Sequence, residues 1–433
     1  MLTETMFQLR RWSARLHRTT RSALSRGVVP TVRKLFATPA PAPSGHHGPL
    51  PAPPAAAPAA GTVLVVDAMP PTPDRDSGSL RLCNIMGLLR ERGYRVCFLA
   101  DDGTAPDRTD ADPAIAGVEV LQEAPVDWLR GEGARLRAAI LCRHQVALPW
   151  IPLLRKYAPQ ARLIFDTVDV HHIREQREAA QRGSRLLGRH ARATRRRECA
   201  AAARADATWV VSEDERRHLA RLVPDARIRV VSNSVHPIRP GPGFDARRDL
   251  VFIGGHRHPP NTDAAWWLVE EVFPCIRALL PEVRLHLVGD EVPRQLRLAA
   301  SRRDGLEVHG HVPDLASYLD GCRVAVVPLR YGAGVKGKIS MSMAHGQPVV
   351  STRCGVEGMQ LRDGEDVLVA DTAHGLAHCV ARLYGDRALW ERVSQGGLAN
   401  ARRHYSLETV SRALEQDFPT PVPSTGQPPA PSA

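Results

Sequence analysis

The segment Arg330–Thr352, RYGAGVKGKISMSMAHGQPVVST, concentrates the residue types that bind phosphate. Gly332, Gly334 and Gly337 let backbone N–H groups approach an anion, Lys336 and Lys338 add two ammonium groups, and a helical run follows directly. The spacing Gly332, four residues, Gly337, Lys338 comes within one residue of a nucleotide-hydrolysing P-loop. Such a loop needs Ser or Thr after its Lys to hold magnesium, and Ile339 stands there. A diphosphate held without that metal suits the segment, although a glycine-rich turn with two solvated lysines has the same composition.

Two further clusters could do chemistry. In ARLIFDTVDVHHIREQRE an apolar run ends in Asp166, Asp169, His171, His172, Arg174 and Glu175. Asp169 with His171 reads as an acid/base pair or an orienting hydrogen bond, and alternatively Asp169 reads as a helix N-cap. In FIGGHRHPPNTDAAWW, Arg257 lies between His256 and His258 directly after a strand-like run, where a ligand or a solvated turn would be expected. Asp74-Arg75-Asp76 and Asp110-Ala111-Asp112 match a short Asp-x-Asp metal pattern, one that arises easily by chance. The eight cysteines form no Cys-x-x-Cys pair and no Cys/His cluster at zinc spacing, so no metal is expected.

The elements that must position these residues alternate. TVLVVD, YRVCFLADD, AAILCRH, RLIFD, ATWVV and IRVV are β-branched runs separated by helical stretches, the first helix falling around Leu80–Gly93. After the Pro/Gly-rich PIRPGPGFDARR a second series begins with DLVFIGG and continues through VRLHLVGD, LEVHGHV, RVAVVPL, PVVST and VLVA. Continuous apolar strands alternating with helices predict doubly wound parallel sheets. Four regions are expected: a basic and Pro/Ala-rich tail (1–60), a first Rossmann-like domain (61–240), a second (241–417) and a disordered tail (418–433). Both domains would present strand-end loops to one cleft.

The net charge of +12 over 433 residues suits a polyanion, an anionic membrane face or a phosphorylated substrate. Residues 1–38 place Leu9, Trp12 and Leu16 among arginines. They read either as a basic amphipathic helix on a membrane or as a solvated tail. The arginines of Arg174–Arg197 suit an anionic acceptor or a solvated helix equally. Aromatic residues make up only 5% and are not interleaved with the basic ones, so nucleic acid is not an expected partner. With no apolar run long enough to span a bilayer and no secretory leader, a cytoplasmic location is expected, peripheral on the inner face of the membrane.

GAGVKGKISMSMAHGQPVVSTRCGVEGM resembles the donor-site segment of family 4-like glycosyltransferases of the GT-B fold, the glycosyl transferases group 1. FIGGHRHPPNTDAAWW, PTPDRDSGSLR and FDTVDVHHIREQRE resemble further motifs of that group, in the same order, between about Thr62 and Ser406. The resemblance implies an α/β GT-B fold and a metal-independent transfer from a nucleotide sugar to a glycan or lipid-linked acceptor, in bacterial polysaccharide or glycolipid synthesis. It implies donor contacts from Arg257, Gly334, Lys336, Lys338, Met341 and Glu357. Asp76 and Gly78 would belong to an acceptor loop, with Asp169, His171 and His172 near the transferred sugar. No cofactor is implied beyond the nucleotide sugar as co-substrate. Retaining members typically carry two glutamates eight residues apart, and those positions here are Ala333 and Met341. A non-catalytic relative that binds a nucleotide sugar or glycan at the membrane surface is therefore the alternative expectation.

Overall fold

A computed structural model describes residues 60–104 and 116–419. The basic N-terminal segment and Asp110-Ala111-Asp112 lie outside the described residues. Two parallel sheets organise the chain. The first has the order β3-β2-β1-β4-β5-β6-β7, with β1 Thr62–Asp67, β2 Arg95–Ala100, β3 Glu119–Val120, β4 Leu136–Cys142, β5 Arg162–Asp166, β6 Ala207–Val210 and β7 Ile228–Val230. The second has the order β10-β9-β8-β11-β12-β13, with β8 Arg248–Ile253, β9 Leu285–Val288, β10 Leu306–His309, β11 Cys322–Val327, β12 Val349–Ser351 and β13 Leu368–Val369.

All six residues of β1 are buried, as a strand covered by helices on both faces requires. Strand order reverses between β1 and β4 in one sheet and between β8 and β11 in the other. At such switch points the loops part and leave a crevice beyond the carboxyl ends of the strands. The loops after β1, β8 and β11 lie at these switch points, and the loop after β5, the neighbour of β4, joins them in the candidate site. The first helix spans Ser77–Glu91, starting three residues before the expected Leu80 because Asp76 caps it by accepting from Ser79 N at 2.8 Å.

Arg247 ends the interdomain linker and is fully buried, with no carboxylate in an ion pair with it among the described residues. Its guanidinium donates instead to the carbonyls of Pro242, Leu319, Cys322 and His345. Five fixed donors can satisfy a turn of backbone that has no partner of its own. Burial lowers its pKa to about 10.

The expected boundary between 417 and 418 is corrected. The helix Leu407–Leu414 packs against the helix Ser77–Glu91 of the first domain, and Val410, Leu414 and Phe418 join that domain's core. Phe418 is fully buried, edge-on to Tyr94 at 5.5 Å and to Trp209 at 6.0 Å. Asp417 accepts from Trp209 Nε1 at 2.9 Å and pairs with Arg162 and Arg229 at 2.6 Å each. The end of the chain thus returns to the first domain, a long-range contact that local composition does not show. Among the described residues no helix is long and apolar enough to cross a membrane.

Phe418→Ala should destabilise the protein by about 3–5 kcal/mol, the usual cost of emptying a buried aromatic site. Urea unfolding followed by tryptophan fluorescence would read this as a lowered midpoint. An unchanged midpoint would refute the returning anchor.

Candidate active site

The donor-side cations stand at the start of the helix Gly337–Ala344, which follows β11. Lys336 occupies the N-cap position, is 6% exposed, and donates to the Gly334 carbonyl at 2.7 Å. Lys338 donates to Asn261 Oδ1 at 2.5 Å and lies 4.8 Å from the centre of the Phe252 ring. No carboxylate pairs with either ammonium among the described residues. Burial, with Lys336 as a second cause, pushes Lys338 down to about 7, and burial also lowers Lys336. A helix N-terminus adds unsatisfied N–H groups to this positive field.

The loop after β8 closes the same pocket. A Cβ on Gly254 would stand 2.8 Å from Lys338 Nζ and 2.9 Å from Asn261 Cγ, so only glycine lets the lysine come this close. His256 is lowered to about 4 by burial and by Lys338, and His258 to about 3 by burial and by Arg174. Both imidazoles are therefore neutral at physiological pH. Arg257 is half exposed and pairs with Glu291 at 2.9 Å and with Asp290 at 3.8 Å.

On the facing domain, β5 ends in Asp166, which pairs with buried Arg81 at 2.6 Å. Val168 follows with φ +64°, a conformation that a β-branched residue adopts only when its surroundings impose it. Two buried carboxylates hold this loop. Glu215 accepts from Val170 N at 3.0 Å and Val211 N at 3.2 Å. Glu198 accepts from His171 N at 2.8 Å and His172 N at 3.2 Å, so it caps the helix His171–Gln181 from a neighbouring helix. Asp169 is not the cap. It pairs with Arg174 and, at 2.9 Å, with His171 Nδ1. Burial opposes ionisation of Asp169, but Arg174 and His171 outweigh it and hold its pKa well below the ordinary range. For His171 burial is outweighed by Asp169, and its pKa rises. Burial drives Glu215 up to about 7 against the hydrogen bond from Val170.

The two sides meet. A Cβ on Gly334 would lie 3.2 Å from Asp169 Cβ, 3.3 Å from Val211 and 3.6 Å from Glu215 Oε1. A Cβ on Gly337 would collide with Ser77, which opens the first helix of the facing domain. Arg177 donates to both oxygens of Glu357 at 2.5 and 2.7 Å and to the Gly332 carbonyl at 2.7 Å. Burial tends to raise Glu357, but Arg177 prevails and lowers it. At the rim Arg75 pairs with Asp290 at 3.6 Å and His311 with Asp74 at 3.1 Å.

The structure thus brings together Asp169, Gly334, Lys336 and Lys338, with His171 paired to Asp169. Gly78 is also close-packed, since a Cβ there would stand 3.1 Å from Val168 and 3.2 Å from Asp76. Asp76 is engaged as a helix cap. His172 is turned inward, with Nδ1 2.5 Å from Glu198 and Nε2 2.8 Å from His218. Met341 is partly buried on the same helix as Lys338. Glu198, Glu215, Arg177 and Asn261 were missed by the sequence reading. Asn261 and Arg177 had a local signal, lying in FIGGHRHPPNTDAAWW and FDTVDVHHIREQRE.

Two parallel-sheet domains with this paired crevice define the GT-B glycosyltransferase fold. Within the second domain, residues 247–386 match the model of the family Glycosyl transferases group 1. Sucrose-phosphate synthase from Thermosynechococcus elongatus is similar at TM-score 0.64 and 16% identity, over 83% of this chain and 98% of that one. HepE of Anabaena, in complex with UDP and glucose, is similar at TM-score 0.60 and 14% identity, over 82% and 99%. A 44.6 kDa protein of the cps region of Klebsiella pneumoniae is 28% identical over 130 residues, 28% of this chain. That match spans about a third of the relative, 34% of its length.

Lys338 gives the site a pH signature. Its folded pKa of about 7 lies below the ordinary 10.5, so the unfolded chain holds the proton more tightly between these values. Lysine 338 therefore makes the fold gain stability as pH rises from about 7 to about 10.5, and lose it as pH falls back. Denaturant midpoints across that range should climb less steeply in Lys338→Met than in the parent. Parallel slopes would refute the depressed pKa.

Proposed function

We propose that this protein moves a sugar from a nucleotide-sugar donor to a glycan or lipid-linked acceptor, in the synthesis of a bacterial cell-surface polysaccharide or glycolipid. One observation carries the reading: two buried or partly buried ammonium groups, neither in an ion pair with a carboxylate among the described residues, at a helix N-terminus in the crevice between two Rossmann-like domains. A nucleoside diphosphate supplies the missing negative charge. In the transition state the bond from the anomeric carbon to the diphosphate lengthens and negative charge grows on the departing phosphate. Cations and N–H groups already fixed there stabilise that charge without reorganising. On this reading no metal is needed to neutralise the leaving group.

The opposite wall suits the acceptor. Asp169 and the carboxyl group of Glu215 are the titratable groups that approach Gly334 of the donor loop, and Asp169 fixes the orientation of His171. Arg185, Arg189, Arg192, Arg195 and Arg196 are exposed along the helix Arg185–Ala202. No acid pairs with them among the described residues. Such a row favours an anionic acceptor or the anionic inner face of a membrane. HepE is crystallised with UDP-glucose, and the relative from Klebsiella lies in a cps region; both agree with the proposed donor class and setting.

A second reading, binding without transfer, is favoured by Ala333 and by Met341, whose thioether offers no strong hydrogen bond to a sugar or ribose hydroxyl. Incubation with a panel of nucleotide sugars, with detection of released nucleoside diphosphate, separates the two. Release with at least one donor is expected. Measurable donor binding with no release from any donor would support the binding reading instead.

Lys336→Ala should weaken nucleoside diphosphate binding at least tenfold, about 1.4 kcal/mol, as read by isothermal titration. An unchanged affinity would return the segment to a solvated glycine-rich turn.

A further inference from the structure

At the outer edge of the second sheet three side chains with metal-binding atoms converge. His286 lies on β9 and Glu307 and His309 lie on β10. His286 pairs with Glu307 in the parallel register, and His309 follows Glu307 by two residues, so all three project from the same face. Their ligand atoms all lie within 4.8 Å of one another. His286 Nδ1 is 3.1 Å from His309 Nε2 and 3.4 Å from Glu307 Oε2, and His309 Nε2 is 3.7 Å from that same oxygen. Zinc bonds of about 2.0–2.1 Å at tetrahedral angles separate ligand atoms by roughly 3.3–3.4 Å. The three observed separations bracket that value.

The surroundings hold the ligands in place. The Tyr318 ring, on the helix Ala316–Gly321, packs against both imidazoles at centroid distances of 5.6 and 5.2 Å. Arg284 takes the other oxygen of Glu307, at 3.4 Å to Oε1, which leaves Oε2 directed at the histidines. Outer contacts of this kind orient the ligands of metal sites. The side chains are 16%, 41% and 27% exposed for His286, Glu307 and His309, so an ion could enter from solvent and keep water as a fourth ligand.

We propose that His286, Glu307 and His309 form a site for a divalent transition metal, with zinc the ion that fits best. Two imidazoles and one carboxylate suit zinc better than magnesium or calcium, which favour all-oxygen shells. The site is separate from the donor loop, since His286 lies three residues, roughly 10 Å of strand, before Gly289, where β9 reaches the pocket. Its effect is structural. An ion would tie the four-residue edge strand β10 to β9, two residues before His311 makes its contact with Asp74 across the crevice.

The test uses the full chain, freed of metal by a chelator, dialysed against zinc and assayed for bound metal by mass spectrometry, beside His286→Ala/His309→Ala. The parent should hold one zinc per chain more than the variant, and only the parent should gain thermal stability on adding zinc. Cobalt loading should give the parent, and not the variant, the strong visible absorption of a tetrahedral ion. Histidines elsewhere in the chain are common to both proteins, so the difference isolates this site. If circular dichroism shows that the double variant does not fold, Glu307→Gln carries the same comparison, with affinity expected to fall at least tenfold. Equal zinc content in parent and variant, or none in the parent, would overturn the proposal. Metal content is read independently of transferase activity, so the two proposals stand or fall separately.

Discussion

Two ammonium groups crowd one helix N-terminus, and among the described residues no carboxylate forms an ion pair with either, Glu357 and Glu215 acting on Lys336 only at longer range. Burying an unpaired charge is costly, and a chain normally avoids it by pairing the group or by letting it lose its proton. Here the environment takes the second course for Lys338, with its pKa near 7, while Lys336 leans on a carbonyl. The neighbouring His256 and His258 are kept neutral by the same field and by burial. An anion at this helix N-terminus would offset that cost, which is why the diphosphate of the proposed donor suits it.

The opposite wall is built on the reverse principle. Its buried carboxylates are spent on backbone and cation partners: Glu198 and Glu215 on the N–H groups of Val170, His171, His172 and Val211, Asp166 on Arg81, and Asp169 on Arg174 and His171. A loop with Val168 at positive φ persists because these bonds over-determine it. The result places Asp169 against Gly334 and fixes the His171 ring through that carboxylate. Glycines at 334 and 337 then let the two walls touch, and the Arg177–Glu357 pair bridges them. Surface ion pairs usually contribute little, but a bidentate pair that also binds the Gly332 carbonyl has the geometry of a latch.

Much of the fold was legible because parallel strands covered on both faces must be continuously apolar, and β1, β4 and β8 are written that way. The concentration of positive charge and glycine at Gly332–Lys338, just before a helix, was equally legible, because it is written in consecutive residues. The partners were not. Asp169 reads locally as a partner of His171 or as a cap; the pair forms, while Glu198, from 29 residues further on, takes the cap and Arg174 is the partner that spacing did not name. Arg257 reads as a phosphate ligand, yet Glu291 and Asp290 from the next strand end engage it. The resemblance implies a donor contact for Glu357, and Arg177 of the other domain engages both of its oxygens. Ion pairs are made by proximity in space, and sequence spacing carries no record of it.

The same division holds for the chain's end and for the edge histidines. Pro and Ser after Phe418 read as a tail, but an aromatic ring seats wherever an apolar site will take it, and that site lies between Tyr94 and Trp209. His286 and His309 lie in separate apolar runs, and only the register of β9 against β10 puts them on one face with Glu307. By itself, then, the sequence determined the element types, the two-domain division and the anion-seeking loop, because periodicity and backbone freedom are local properties. Tertiary structure alone decided which charge meets which, because burial and pairing depend on neighbours that the chain brings from far away.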